Sequence, residues 1–226
     1  MKRTVTTCIA LLALAGLTVL ASGQTYTTTH DGARVVTISP SDAAISEATP
    51  ANDDHASLKT LFSNLSDYKY APYFCCAGFV IAGPDPKFGP APSWVALPIT
   101  PKASVALVQV EAPLFNITGA VSVAVWLAAD SSGVPGDTIA GPIDIDNLPP
   151  IFPCCTLSTV KFADIPLTKG TTYWIVVGTD SNSTDSNDSW QFNTTDMRAH
   201  PFAIYGSNGT WTASGGALPA IAIFGK

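Results

Sequence analysis

Positive charge is scarce in this chain. Only 11 Lys and Arg stand against 17 Asp and Glu in 226 residues, a formal net charge of −6. A surface for nucleic acid or anionic lipid needs clustered cations, so both are excluded as expected partners. Histidine is limited to His30, His55 and His200. No His-Glu-x-x-His, P-loop, dinucleotide fingerprint or Gly-x-Ser-x-Gly elbow occurs, which removes the commonest metalloprotease, nucleotide-binding and α/β-hydrolase signatures. No sustained helical period appears, and no long apolar run follows Leu20. Helical bundles and a later membrane span are therefore not expected.

What is present begins with an export signal over residues 1–23. Lys2 and Arg3 precede an apolar run from Ile9 to Leu20, and Ala21-Ser22-Gly23 supplies small residues at a cleavage site. The run is short for an uncleaved anchor, and no charged stop follows it. Cleavage after Gly23 would leave 9 of the 11 basic residues with all 17 acids. It would also remove Cys8 and leave Cys75, Cys76, Cys154 and Cys155. An even number of cysteines in an exported chain predicts disulfides, in one of three connectivities. Adjacent Cα atoms sit about 3.8 Å apart, below the usual disulfide range, so at least one bridge from 75/76 to 154/155 is favoured over two neighbour-to-neighbour rings. Four buried thiols are the competing reading. Zinc is disfavoured because a Cys-Cys pair lacks the spacer that turns both sulfurs to one ion.

Residues 24–57 read as a polar N-terminal arm or linker. Gln24 to Thr29 is Thr-rich and extended, Val35 to Ile38 suits a short strand, and Ser41 to Ser46 could form a short helix. A single domain then spans 58–226. Strand patterns recur with turn signals between them: Phe74 to Gly83, Trp94 to Ile99, Ser104 to Ala112, Val121 to Ala128, Thr171 to Val177, Trp190 to Asn193, Phe202 to Tyr205 and Pro219 to Phe224. Ala106, Val108 and Val110 give the cleaner apolar face of their strand. Thr171 to Val177 is the strongest strand signal and predicts a central strand. Asp130-Ser-Ser-Gly-Val-Pro-Gly136 predicts a tight turn, and Pro142 to Pro153 a loop. The pattern predicts an all-β fold, an antiparallel β-sandwich of jelly-roll type with about ten strands.

Four segments in order carry a family resemblance: Tyr73-Phe-Cys-Cys-Ala-Gly-Phe-Val-Ile-Ala-Gly83, the Asp130–Gly136 turn, Cys154-Cys155, and Leu167-Thr-Lys-Gly-Thr-Thr-Tyr-Trp174. Together they resemble the bacterial exported choice-of-anchor domains, most nearly the type with two Cys-Cys pairs, from about Leu58 onward. The resemblance implies an exported β-sandwich of unassigned molecular function. Many members carry a C-terminal sorting tail. This chain closes on Ala222-Ile-Phe-Gly-Lys226 without an apolar span or basic cluster, so free secretion or non-covalent surface association is expected.

Candidate sites follow from side-chain chemistry. Trp190, with Gln191 and Asn193, and Trp211 are the expected glycan platform: a flat ring covers the apolar face of a pyranose while amides bond its hydroxyls. Trp94 is a further candidate for such a face, whereas Trp126 and Trp174 suit it less and a core more. Asp180, Asn182, Thr184 and Asp185 set oxygen ligands at near-alternate positions, a candidate calcium loop without the Gly and Glu of an EF-hand. A solvated polar loop is the competing reading there. Asp144 and Asp146 are the only paired carboxylates considered for glycoside hydrolysis, and turn formation competes with it. His200 precedes Pro201 with no orienting partner visible in sequence. The leading expectation is a non-catalytic secreted or cell-surface module that binds glycan or a matrix protein. The alternative is a structural subunit that self-assembles by strand addition through its N-terminal arm. A secreted hydrolase comes third.

Overall fold

The computed structural model describes residues 24–28, 34–38, 57–66, 72–74, 77–86, 91–150, 156–179 and 185–226. Every regular element among them is a β-strand. One sheet runs in the order β1 (Gln24–Thr28), β2 (Arg34–Ile38), β4 (Ala77–Ala82), β12 (Asn187–Gln191) and β7 (Leu114–Thr118). A second orders β10 (Ser158–Leu167), β6 (Val105–Ala112), β15 (Ala222–Gly225) and β3 (Lys59–Ser63). The third and largest orders β14 (Trp211–Gly216), β13 (His200–Tyr205), β5 (Trp94–Ile99), β11 (Tyr173–Thr179), β8 (Val123–Asp130) and β9 (Pro135–Ile145). The strand pairs are antiparallel. The all-β antiparallel class expected from sequence is the class found, with more strands than the ten anticipated.

β11 lies between β5 and β8 with all seven residues buried, as a strand apolar on both faces requires. Its alternate residues Tyr173, Ile175 and Val177 join the main core. That core also takes Phe79 and Trp190 from the first sheet, and Leu107, Val160 and Ile223 from the second. All three sheets thus pack over one apolar interior, where each buried large side chain stabilises by about 1.5–3 kcal/mol. Trp174 and Val176 turn to the opposite face of β11.

One strand changes sheets. β6 pairs in the second sheet and β7 in the first, separated only by Pro113. Proline has no N–H to give a ladder, and its carbonyl instead accepts from Gln191 N at 3.1 Å. β6 also departs from the expected face. Val110 enters the core as expected, but with Leu107 and Ala112 rather than with Ala106 and Val108. Register shifts lie opposite residue 108 on both sides, between Lys161 and Ile165 and between Phe224 and Gly225, and a bulge reverses which residues point inward.

The Asp130–Gly136 turn forms as expected. Ser132 and Gly133 take φ of 58° and 87°, and Asp130 Oδ2 accepts from Gly133 N at 3.3 Å. The expected loop from Pro142 is instead strand as far as Ile145. In the N-terminal arm, the extended segment from Gln24 and the short strand expected over Val35 to Ile38 are present as β1 and β2. β1 and β2 form a hairpin of five residue pairs, and β2 extends the sheet by pairing Val35, Val36 and Thr37 with Phe79, Gly78 and Ala77. The export signal and the helix expected over Ser41 to Ser46 lie outside the described residues, among which no helix is long and apolar enough to cross a membrane.

Candidate functional site

The outer face of the six-stranded sheet carries a row of aromatic rings. Strand alternation sends Ala96, Ala128, Trp174, Val176 and Ala203 to this face, away from the main core. All five are buried, with Trp126, Val134 and Trp211 packed against them. Every member of this cluster comes from the six-stranded sheet or its β8–β9 turn. The small residues are covered by the rings of their own sheet.

Register places the rings side by side. Trp94 pairs with Tyr205 across β5 and β13, and Tyr205 pairs with Trp211 across β13 and β14. Trp94 and Tyr205 stack at 4.3 Å with 13° between planes. Trp211 meets Tyr205 edge-on at 5.4 Å, and Trp126 meets Trp94 edge-on at 5.5 Å. Trp94 and Trp126 sit on either side of β11 and close over Gly178. A Cβ there would lie 2.6 Å from Trp126 Cη2 and 2.7 Å from Trp94 Cγ, so no larger residue fits beneath the pair. Trp94 Nε1 donates to Thr179 Oγ1 at 3.1 Å, and Trp174 Nε1 donates to Asp130 Oδ1 at 2.8 Å. Trp94, Trp126, Tyr205 and Trp211 are all partly exposed.

The expected platform of Trp190, Gln191 and Asn193 is corrected by burial. Their exposures are 0%, 1% and 0%, so no ring face or amide is open to a sugar. β12 runs between β4 and β7, and Trp190 belongs to the main core with its Nε1 donating to Ala220 O at 2.8 Å. Gln191 Nε2 donates to Ser189 Oγ, and Asn193 Nδ2 to Leu218 O. Asn193 Oδ1 accepts from the backbone of Thr195 and Asp196. Most of these polar groups close on one another and on backbone, as a buried polar strand needs, while Gln191 Oε1 is buried without a partner among the described residues. Of the four expected platform residues, only Trp211 stands on a partly open face. Sequence reasoning missed Tyr205, left Trp94 only as one of five possible stacking tryptophans, and set Trp126 aside as core. The only signal for the row was the tryptophan content itself.

Asp188, on the same polar strand, is fully buried. Burial pushes its carboxyl up to about 6, against the lowering effect of bonds from Ser186 and Asn116. Asn116 Nδ2 donates to Asp188 Oδ1 at 2.9 Å, and Ser186 Oγ donates to Oδ2. Of the candidate calcium residues, Asp180, Asn182 and Thr184 lie outside the described residues. Asp185 is exposed, with Oδ1 3.5 Å from Ala120 N. Among the described residues no three His, Cys, Asp or Glu side chains gather as a metal site.

Cys75, Cys76, Cys154 and Cys155 also lie outside the described residues. Their neighbours meet. Tyr73 is fully buried and donates from its hydroxyl to Thr156 O at 3.1 Å, and it packs 6.0 Å from Phe115 in a small cluster with Ala220 and Leu157. Asp144 ends its strand with Ile145, and Asp146 lies one residue beyond. Both are exposed along an open groove of about 470 Å³ that Thr159, Val160 and Lys161 line from β10. His200 does have a partner. Its Nε2 lies 2.9 Å from Asp196 Oδ2, whose carboxyl is held far below its usual range by Arg198 and then by His200. Arg198 shares that carboxylate at 2.7 Å, so the histidine sits in a solvent-facing ion cluster rather than in a relay to a hydroxyl.

No family model matches the chain, and neither the curated proteins nor the solved structures give a significant match. The functional reading therefore rests on the site geometry.

Proposed function

We propose that the chain is a non-catalytic extracellular binding module, and that the aromatic row on the six-stranded sheet takes a neutral glycan. The observation carrying this reading is the set of four partly exposed rings, Trp94, Trp126, Tyr205 and Trp211, brought to one face by four strands. Such rings cover the C–H face of a pyranose, and a nearby hydroxyl or amide orients it. The Tyr205 hydroxyl lies beside the turn that holds Asn208, with a Cβ on Gly209 falling 3.7 Å from it. A net charge of −6 disfavours acidic polysaccharides, which leaves neutral ones.

Export by residues 1–23 and the likeness to choice-of-anchor domains belong to the same reading. So does a bridge between Cys75 or Cys76 and Cys154 or Cys155. The Tyr73–Thr156 bond supports that bridge, since it joins residues flanking the two pairs. Peptide mapping without reductant is expected to find a cross-linked peptide containing both pairs, and two unlinked peptides would remove the bridge. Calcium at Asp180, Asn182, Thr184 and Asp185 is a further part of the proposal, tested by calorimetric titration of the metal.

The glycan reading is tested on an array of neutral polysaccharides, with titration followed by tryptophan fluorescence. Binding is expected in the native chain, with at least about a tenfold loss in Trp126→Ala and Trp211→Ala, equivalent to 1.4 kcal/mol. No binding across the array, or unchanged binding in both variants, rejects it.

A further inference from the structure

Among the described residues the three sheets present six edges, of which four are guarded and a fifth, β14, is weakened by glycine. β9 carries Pro135, Asp137, Pro142 and Asp144, with a left-handed Gly141 at φ 88°. β10 carries Lys161, Pro166 and a register shift that includes Asp164 at φ 52°. β14 runs out into Gly215 and Gly216. β3 begins on Lys59 and faces a register shift in β15. β7 follows Pro113, has its own register shift, and is bridged at Asn116 by Pro150. Charge, proline and bulges are the devices that stop an edge from pairing with another chain, while glycine weakens the strand that carries it.

β1 has none of them. Gln24-Thr-Tyr-Thr-Thr28 holds no charge, proline or glycine, and it pairs with β2 over five consecutive residues without a register shift. Thr and Tyr are strand formers. The five-stranded sheet ends at β1. We propose that this edge pairs with β1 of a second copy of the chain, antiparallel about a twofold axis, so that the two sheets run on into one. A second copy fits because an antiparallel pair of identical strands is self-complementary and closes as a dimer. In the register that pairs all five residues, Gln24 faces Thr28 and Tyr26 faces its own copy at the twofold.

The register sets the test. Like charges directly opposite on paired strands repel, and unlike charges attract. Sedimentation of the full chain, and of the chain beginning at Gln24, is expected to give dimer between about 10 μM and 1 mM, the range of a small interface. Tyr26→Lys and Tyr26→Glu are each expected to weaken association at least about tenfold, and an equimolar mixture of the two to restore it. Amides of residues 24–28 in the unsubstituted chain should gain hydrogen-exchange protection with concentration, a readout that needs no variant to fold. Three results would overturn the pairing. These are monomer up to about 1 mM, a dimer indifferent to both substitutions, and weakening that the mixture does not restore. Glycan binding is independent of every one of these outcomes.

Discussion

Two regions of this molecule exchange their expected places. The strand Asn187–Gln191 is mostly polar, yet each of its residues is buried. The row Trp94, Trp126, Tyr205 and Trp211 is aromatic, yet each ring is partly open to solvent. Strand position accounts for both. β12 lies inside the five-stranded sheet, so its side chains are enclosed whatever their chemistry, and they remain compatible with folding because they bond to one another and to backbone. The rings project from a face that no other sheet covers among the described residues, so they shelter the alanines beneath them and keep part of their own surface exposed. Residue chemistry alone assigns neither region.

Four substitutions would break or sharpen that contrast. Trp190→Ala should be the most damaging, at about 3–5 kcal/mol by urea unfolding, because it empties the core and orphans Ala220 O. Asp188→Asn should act in the opposite direction at neutral pH. The native carboxyl titrates near 6 when folded, well above its unfolded value. The stability it contributes is therefore fully present below the unfolded pKa and is lost as pH rises through about 6. The amide has no such titration, so the variant should be more stable above pH 7 by on the order of 2–3 kcal/mol, with a flatter pH profile in thermal melts. An unchanged profile would mean that another group sets the pH dependence.

Gly178→Val should cost about 1–3 kcal/mol by forcing Trp94 and Trp126 apart, with a change in near-ultraviolet circular dichroism from the uncoupled rings. Trp211→Ala should cost least, about 1 kcal/mol or below, since its ring sits on an edge strand and is already partly solvated. If Trp211→Ala destabilised the chain as much as Trp190→Ala, the row would be a structural layer and the contrast would fail.

The parts legible in sequence were those where local chemistry and final position agree. Thr171 to Val177 announces a central strand because it is apolar on both faces, and β11 occupies one. The Asp130–Gly136 turn is legible because its Asp and Gly are needed for local backbone bonds. The strand was legible from Trp190, but its start at Asn187 and its burial were not, because Asp, Ser and Asn signal loops unless a partner network is known, and Asn116 and Leu218 are remote in sequence. The aromatic row was hidden for a related reason. Its members become neighbours only through the registers of β5, β13 and β14. The face of β6 was misassigned because an alternating pattern carries no mark of a bulge, and the extra residue Val108 shows only in the pairing with β15.

β15 lies between β6 and β3, and β3 has no other strand partner in its sheet. Lys59–Ser63 thus waits for Ala222–Gly225, more than 150 residues later. Ala106 is tied to Lys226 by a pair of backbone bonds at 2.9 and 3.1 Å. Contacts this distant in sequence form slowly, because the intervening chain must first be drawn together. An emerging chain can assemble much of the six-stranded sheet while the second sheet still lacks a strand from its middle. Completion waits for Ala222–Gly225, so a chain made only as far as the six-stranded sheet still lacks the strand that joins β6 to β3.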